Sequence, residues 1–231
     1  LADKKQTIVG LGANIDCDSM LLTDIGASMV RIGRDDSGAE PVNDNSDPRI
    51  LDLSKFTSLD ASLLKKVASL KKRNVKFIFV ISTPPAWMKD TNSPKMYWRV
   101  LESQGKPASE IAAYRYRYEC GGELRSDMYE EFGEYVAGKL LKFKEQTGCD
   151  VYSVSPQNEP EFWEPYWSCV YTSTQMIEAT KNLGAQLALN GLTTQIHFAD
   201  QCFPQNHIYA WSLACNNDSL CRKYVTAFLG N

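Results

Sequence analysis

Val151-Tyr152-Ser153-Val154-Ser155-Pro156-Gln157-Asn158-Glu159-Pro160 sets a β-favouring run directly against a polar cluster that closes on a proline. The first five residues read as a strand and the rest as the turn that leaves it. Ahead of it, residues 128–147 predict a helix. Tyr129, Phe132, Val136, Leu140 and Phe143 share one face there, and Gly148 follows as terminator. Behind it, residues 172–189 predict a second helix, with Thr172 or Ser173 as cap. The chain around residue 155 is therefore helix, strand, helix, with a polar cluster at the strand's carboxyl end.

The same rhythm extends outward in both directions. Residues 75–81 and 28–33 read as strands, and 7–13 as a buried strand ended by glycines. Leu59, Leu63, Leu64, Val67 and Leu70 keep the three-and-four spacing of an amphipathic helix, and a short helix fits 21–25. Residues 83–125 have no sustained period and predict a long loop broken by short helical pieces. Beyond the second long helix, 194–199 reads as a fifth strand and 205–215 as a final helix. Strict alternation implies parallel strands joined by crossover helices. An open doubly wound sheet and an eight-stranded (β/α)8 barrel both satisfy it. Against a dinucleotide-binding sheet, Gly10-Leu11-Gly12 lacks a third glycine and leads into Asp16 and Asp18, which would repel a pyrophosphate.

A formal charge of -3, with no basic stripe, argues against nucleic acid or an anionic membrane surface as partner. No apolar run is long enough to span a bilayer, and residues 1–5 show no apolar core of a signal peptide. The cysteines at 17, 120, 149, 169, 202, 215 and 221 are dispersed, unlike a zinc or iron–sulfur set, and their odd number leaves at least one thiol unpaired. His197 and His207 lack a third ligand at suitable spacing, so neither metal nor other cofactor is expected. Asn217-Asp218-Ser219 is an N-glycosylation acceptor pattern between Cys215 and Cys221, which fits a secreted, extracellular setting.

In a parallel barrel the chemistry stands at the carboxyl ends of the strands. Those positions hold Asn14 and Asp16, Arg31 with Asp35 and Asp36, residues 82–89, Gln157-Asn158-Glu159, and Asp200-Gln201. A carboxylate fixed between an amide and a proline suits a positioned proton donor. The same cluster also suits a plain strand-to-loop cap. Four motifs, in order, break this tie by resemblance. They are Pro84-Pro85-Ala86-Trp87-Met88-Lys89, Gly121-Gly122 with Leu124 and Tyr129, Val154 through Pro160, and Ser168-Cys169 with Tyr171-Thr172. Together they resemble glycoside hydrolase family 30, whose members are retaining β-glycosidases built on a (β/α)8 barrel.

The resemblance implies roles for individual residues. Glu159 matches the general acid/base, and Asn158 the amide that binds the sugar 2-hydroxyl, where a contact that strengthens in the transition state counts most. Arg31 matches the second-strand arginine beneath the catalytic carboxylates; a barrel-floor salt bridge is its plainer reading. Trp87, Trp163, Gln157 and Tyr166 are the candidate substrate-binding residues, with Tyr97, Trp98 and Trp167 nearby as further aromatic surfaces for a pyranose ring.

Two departures stand out. The family usually carries a tryptophan where this chain has Ser82, five positions before Trp87. The family's nucleophile ends the seventh strand, which at roughly 30 residues per βα unit falls near position 250, whereas this sequence runs to Asn231. Residues 1–231 therefore read as one partial barrel domain of five or so βα units. Three expectations follow: a piece of a longer hydrolase, a half barrel completed by a partner chain, or a sugar-binding or scaffold protein without catalysis. Asp200 is the one late strand-end carboxylate, read either as a loop cap or as the general base of an inverting pair, which would tolerate about 6.5–9.5 Å; the resemblance gives it no role as nucleophile. Glu161 and Glu164 lie too close in sequence to face Glu159 across a cleft.

Overall fold

Alternating β-rich runs and amphipathic helices fold here into one parallel sheet with helices along its outer side. The computed structural model describes residues 8–17, 19–33, 38–202 and 204–230. The strands are β1 (Gly12–Asn14), β2 (Met29–Ile32), β3 (Lys76–Val80), β4 (Val151–Ser155), β5 (Gln195–Gln201) and β6 (Val225–Gly230). They lie side by side in chain order, and every neighbouring pair is parallel. The crossovers are α1 (Ser19–Asp24), α2 (Ala61–Lys71), α5 (Tyr129–Thr147), α6 (Ser173–Leu189), and the pair α7 (Pro204–Asn217) and α8 (Ser219–Tyr224). The long segment before α5 holds α3 (Tyr97–Ser103), α4 (Ala108–Ala112) and single 3-10 turns, as its lack of period predicts. Asp35 and Asp36 lie outside the described residues.

The helix ends follow their sequence signals. Thr172 caps α6 through the Gln175 backbone, and the Gln175 side chain returns to the Thr172 N–H, a full capping box. Gly148 closes α5 in the left-handed conformation. On α5, Phe132, Val136, Leu140 and Phe143 are buried as expected, and the Phe143 ring meets Phe77 and Phe79 of β3 edge-on. This layer of helix against strand is the core of the molecule.

Two parts of the sheet differ from the sequence reading. There are six strands among the described residues, not five; β6 follows α8 directly and was hidden behind the 205–215 helix. At the other end only Gly12–Asn14 joins the sheet, while Ile8, Val9 and Leu11 are largely exposed rather than buried. Apolar content alone does not make a strand where no neighbour covers it.

The sheet curls. Arg31 on β2 reaches Asp200 on β5 at 3.5 Å, although these strands stand three places apart. In a flat sheet that separation would be roughly 14 Å. The carboxyl ends of β2, β4 and β5 thus converge on one point, as in a barrel wall. The six strands and their helices form an incomplete α/β barrel.

Candidate active site

The convergence point is built from the turn after β4. Asn158 donates its backbone N–H to Ile81 O (2.7 Å), and Glu159 donates to Asp200 O (3.0 Å), so the turn is tied to both flanking strands. Glu159 itself has φ of 45°, and Ala199 and Asp200 have φ of 84° and 36°. Three non-glycine residues in the left-handed region at one place mark stored backbone strain, a feature that clusters at functional sites.

The side chains interlock across strands. Arg31 donates from Nη2 to Asn158 Oδ1 at 2.5 Å and pairs with the buried Asp200. Because arginine can only donate, the atom of Asn158 facing it must be the carbonyl oxygen, which leaves the amide nitrogen as a donor elsewhere. Burial pushes the Asp200 carboxyl up, and the Arg31 guanidinium pulls it partly back. Gln157 is fully buried, and its Nε2 donates to the carbonyls of Ser82 and Asn158, holding the β3 and β4 turns together.

Beyond Glu159 the loop turns back over the site. Glu164 is buried at 1% exposure, and no donor reaches either of its carboxyl oxygens. Burial first, and then Glu159, pushes the Glu164 carboxyl up to about 9. Burial, and then the neighbouring Glu159, pushes up the Cys202 thiol after β5.

Ser168 is the knot of this loop. Its Oγ accepts from the N–H of Glu164 (3.1 Å) and of Gly121 (2.8 Å) and donates to Tyr166 O (3.1 Å). Its carbonyl accepts from Nζ of the buried Lys89, which also reaches Thr83 Oγ1. Burial lowers the Lys89 ammonium to about 8. Gly121 has φ of 75°, and a Cβ there would stand 2.6 Å from Lys95 O, so the motif needs glycine twice over. The four sequence motifs therefore meet in one hydrogen-bonded frame.

The aromatic candidates separate into two groups. Trp163, Tyr166 and Trp167 are between 38% and 50% exposed, within eight residues of Glu159. Trp87 is half-buried, with its indole N–H on Glu40 O. Trp98 is instead buried, with the Arg99 guanidinium over its ring, and Tyr97 packs edge-on against Tyr114. Those two are occupied by packing. His197 is buried in β5, and the side chain of His207 lies outside the described residues. No cluster of metal-ligating side chains occurs among the described residues, and none of their helices is long and apolar enough to cross a membrane.

No family model and no curated protein matches the sequence. Solved structures do. A family 30 xylanase catalytic domain from Talaromyces cellulolyticus superposes with a TM-score of 0.70 at 16% identity, covering 98% of this chain and 53% of that one. The fold is that of glycoside hydrolase family 30. An endo-β1,6-glucanase gives 0.69 at 21% identity over 97% of this chain, and a family 30 subfamily 8 xylanase from Clostridium acetobutylicum 0.65 at 22% over 97%. This chain spans about half the length of these three structures, 50–53% of each. The described residues supply six strands, where a full (β/α)8 barrel has eight.

Proposed function

We propose that this chain carries the acid/base half of a retaining β-glycosidase. The observation that carries the reading is the strained Asn158-Glu159 turn locked to Arg31 and Asp200 at the carboxyl ends of three converging strands. Glu159 protonates the leaving oxygen and later takes the proton of the attacking water. Asn158, its carbonyl held by Arg31, offers its amide hydrogens to the 2-hydroxyl of the sugar. Trp163 and Tyr166, exposed beside Glu159, stack on sugar rings, and Trp87 borders the same end of the strands. Gln157 serves by fixing the turn. The substrate is a β-linked glycan; two of the similar structures are xylanases and one an endo-β1,6-glucanase.

Retaining chemistry needs a second carboxylate about 5–5.5 Å from the acid. Asp200 is engaged by Arg31, and Glu164 arises from the same loop as Glu159. The nucleophile is therefore assigned to the remaining part of the barrel, in a longer form of this chain or in a partner chain. The Cys215–Cys221 disulfide, closed around the Asn217-Asp218-Ser219 acceptor pattern, supports an extracellular site of action.

The test is Glu159→Gln in the complete protein. Hydrolysis of natural β-glycans falls by at least about a hundredfold, while aryl glycosides with good leaving groups still form the glycosyl-enzyme. Full turnover of glycans by this variant would overturn the assignment.

A further inference from the structure

We propose that Asn217 carries an N-linked oligosaccharide, and that this glycan shields an exposed apolar stripe on the outer side of the barrel wall. The inference rests on the extracellular reading above, because the donor, a lipid-diphosphate-linked oligosaccharide, and its transferase belong to the secretory route. Asn217-Asp218-Ser219 is the only Asn-X-Ser/Thr stretch in the sequence with X other than proline.

The fold sorts the three residues in the way such a site requires. Asp218 is turned inward: its Oδ1 accepts from the N–H groups of Leu220 (3.0 Å) and Cys221 (2.9 Å), which caps α8, and its Oδ2 pairs with Lys181 of α6 at 3.4 Å. Asn217 and Ser219, the two residues the transferase reads, are exposed on either side of it. The Cys215–Cys221 bond beneath them is fully buried, so the junction of α7 and α8 is fixed with its acceptor amide outward.

The position is also clear of the cleft. α7 leaves the carboxyl end of β5, and α8 delivers the chain to the amino end of β6, so this crossover runs away from Glu159. Asn217 closes α7 and stands about 20 Å down the helix from Pro204. Tyr209, Leu213 and Asn217 recur at intervals of four and share one face of α7, and Leu220 lies in the first turn of α8. Tyr209 is 79%, Leu213 46% and Leu220 51% exposed. An apolar stripe open to water invites association, and a bulky, solvated chain tethered in its line keeps another protein from closing on it. In the transfer, C1 of the first sugar bonds to Nδ2 of Asn217 as its bond to the lipid diphosphate breaks; one amide proton passes to the transferase, the lipid diphosphate leaves, and nothing is oxidised or reduced.

Peptide mapping of the protein secreted by its native source tests the site. The peptide containing Asn217 should carry hexose and N-acetylhexosamine mass that peptide N-glycosidase removes, leaving an aspartate at that position. In a eukaryotic secretory host, Asn217→Gln and Ser219→Ala should each abolish the modification, and Asn216→Gln should retain it. An unmodified Asn217 in protein whose Cys215–Cys221 bond is closed would overturn the proposal and leave the extracellular reading standing; free thiols at both cysteines, without sugar, would remove that reading as well. Light scattering tests the shielding: the enzymatically deglycosylated protein should reach at least about twice the particle mass of the glycosylated one, and Leu213→Ser with Leu220→Ser should reverse the gain. An unchanged particle mass after deglycosylation would overturn the shielding role.

Discussion

Arg31 spans the site and connects three strands through one guanidinium. It fixes the Asn158 carbonyl and offsets the charge of Asp200, whose carboxyl is 4% exposed. Removing it leaves a buried carboxylate without its cation, the costlier way to break such a pair. Arg31→Met should therefore destabilise the fold by about 2 kcal/mol. Asp200→Asn should cost less, and the double variant should cost clearly less than the sum of the two. Urea unfolding of the four proteins measures this; additivity within about 0.5 kcal/mol would mean that the residues do not act together. Strand-end position put Glu159, Asn158 and Arg31 among the candidates, and resemblance to the family singled them out. The sequence could not show that Arg31 pairs with Asp200, since that contact exists only once the sheet curls. Nor could it reveal the burial of Glu164, which follows from the left-handed turn at Glu159 and the Ser168 knot.

At the level of elements, the frame around the site depends on how closely α5 and α6 approach. Gly133 lies where they touch, and a Cβ on it would stand 2.8 Å from the Asn182 backbone oxygen of α6. Backbone cannot swing aside as a side chain can, so Gly133→Ala must push the helices apart. The expected loss is about 1–3 kcal/mol, or roughly 2–10 °C in Tm for a chain of this size. Gly38→Ala, where a Cβ meets nothing within 4 Å, is the control and should leave Tm within about 1 °C. Equal melting of the two variants would refute the close packing. The long helices and β2 to β5 were legible because each has a sustained period or a dense β-favouring run. The sixth strand was not. Val225–Gly230 is short, begins one residue after α8 ends, and gains its identity from pairing with β5. The converse failure is Ile8 to Leu11, apolar but uncovered.

Among the described residues, buried carboxyls outnumber the buried cations, and this sets how stability responds to pH. Besides Glu164, a second group lies between residues 40–44 and α5. Glu40 and Glu134 are each 1% exposed, beside Asp44 and Glu131. Asn43 donates to Glu131 and the Asp44 N–H to Glu40, but no donor reaches either Glu134 oxygen. Burial raises Glu40 to about 7, and burial, reinforced by Asp44 and Glu131, raises Glu134 to about 9. In the unfolded chain these carboxyls titrate near 4.5. Between about 4.5 and 9 the folded state thus binds more protons than the unfolded one, so folding stability must fall as pH rises. Each group contributes a slope of up to about 1.4 kcal/mol per pH unit between its unfolded and folded values. Denaturant midpoints should therefore decrease from pH 5 through 7 to 9. Glu134→Gln, which keeps the shape and removes the ionisation, should flatten the decline, most visibly between pH 7 and 9 where Glu40 has already titrated. A midpoint that rises with pH over this range would mean that these carboxyls are ionised in the folded protein, with a cation supplied from elsewhere. The link to the candidate site is Trp87, whose indole donates to the Glu40 carbonyl, so loosening of this cluster at high pH should disturb the glycan binding proposed above before the barrel unfolds.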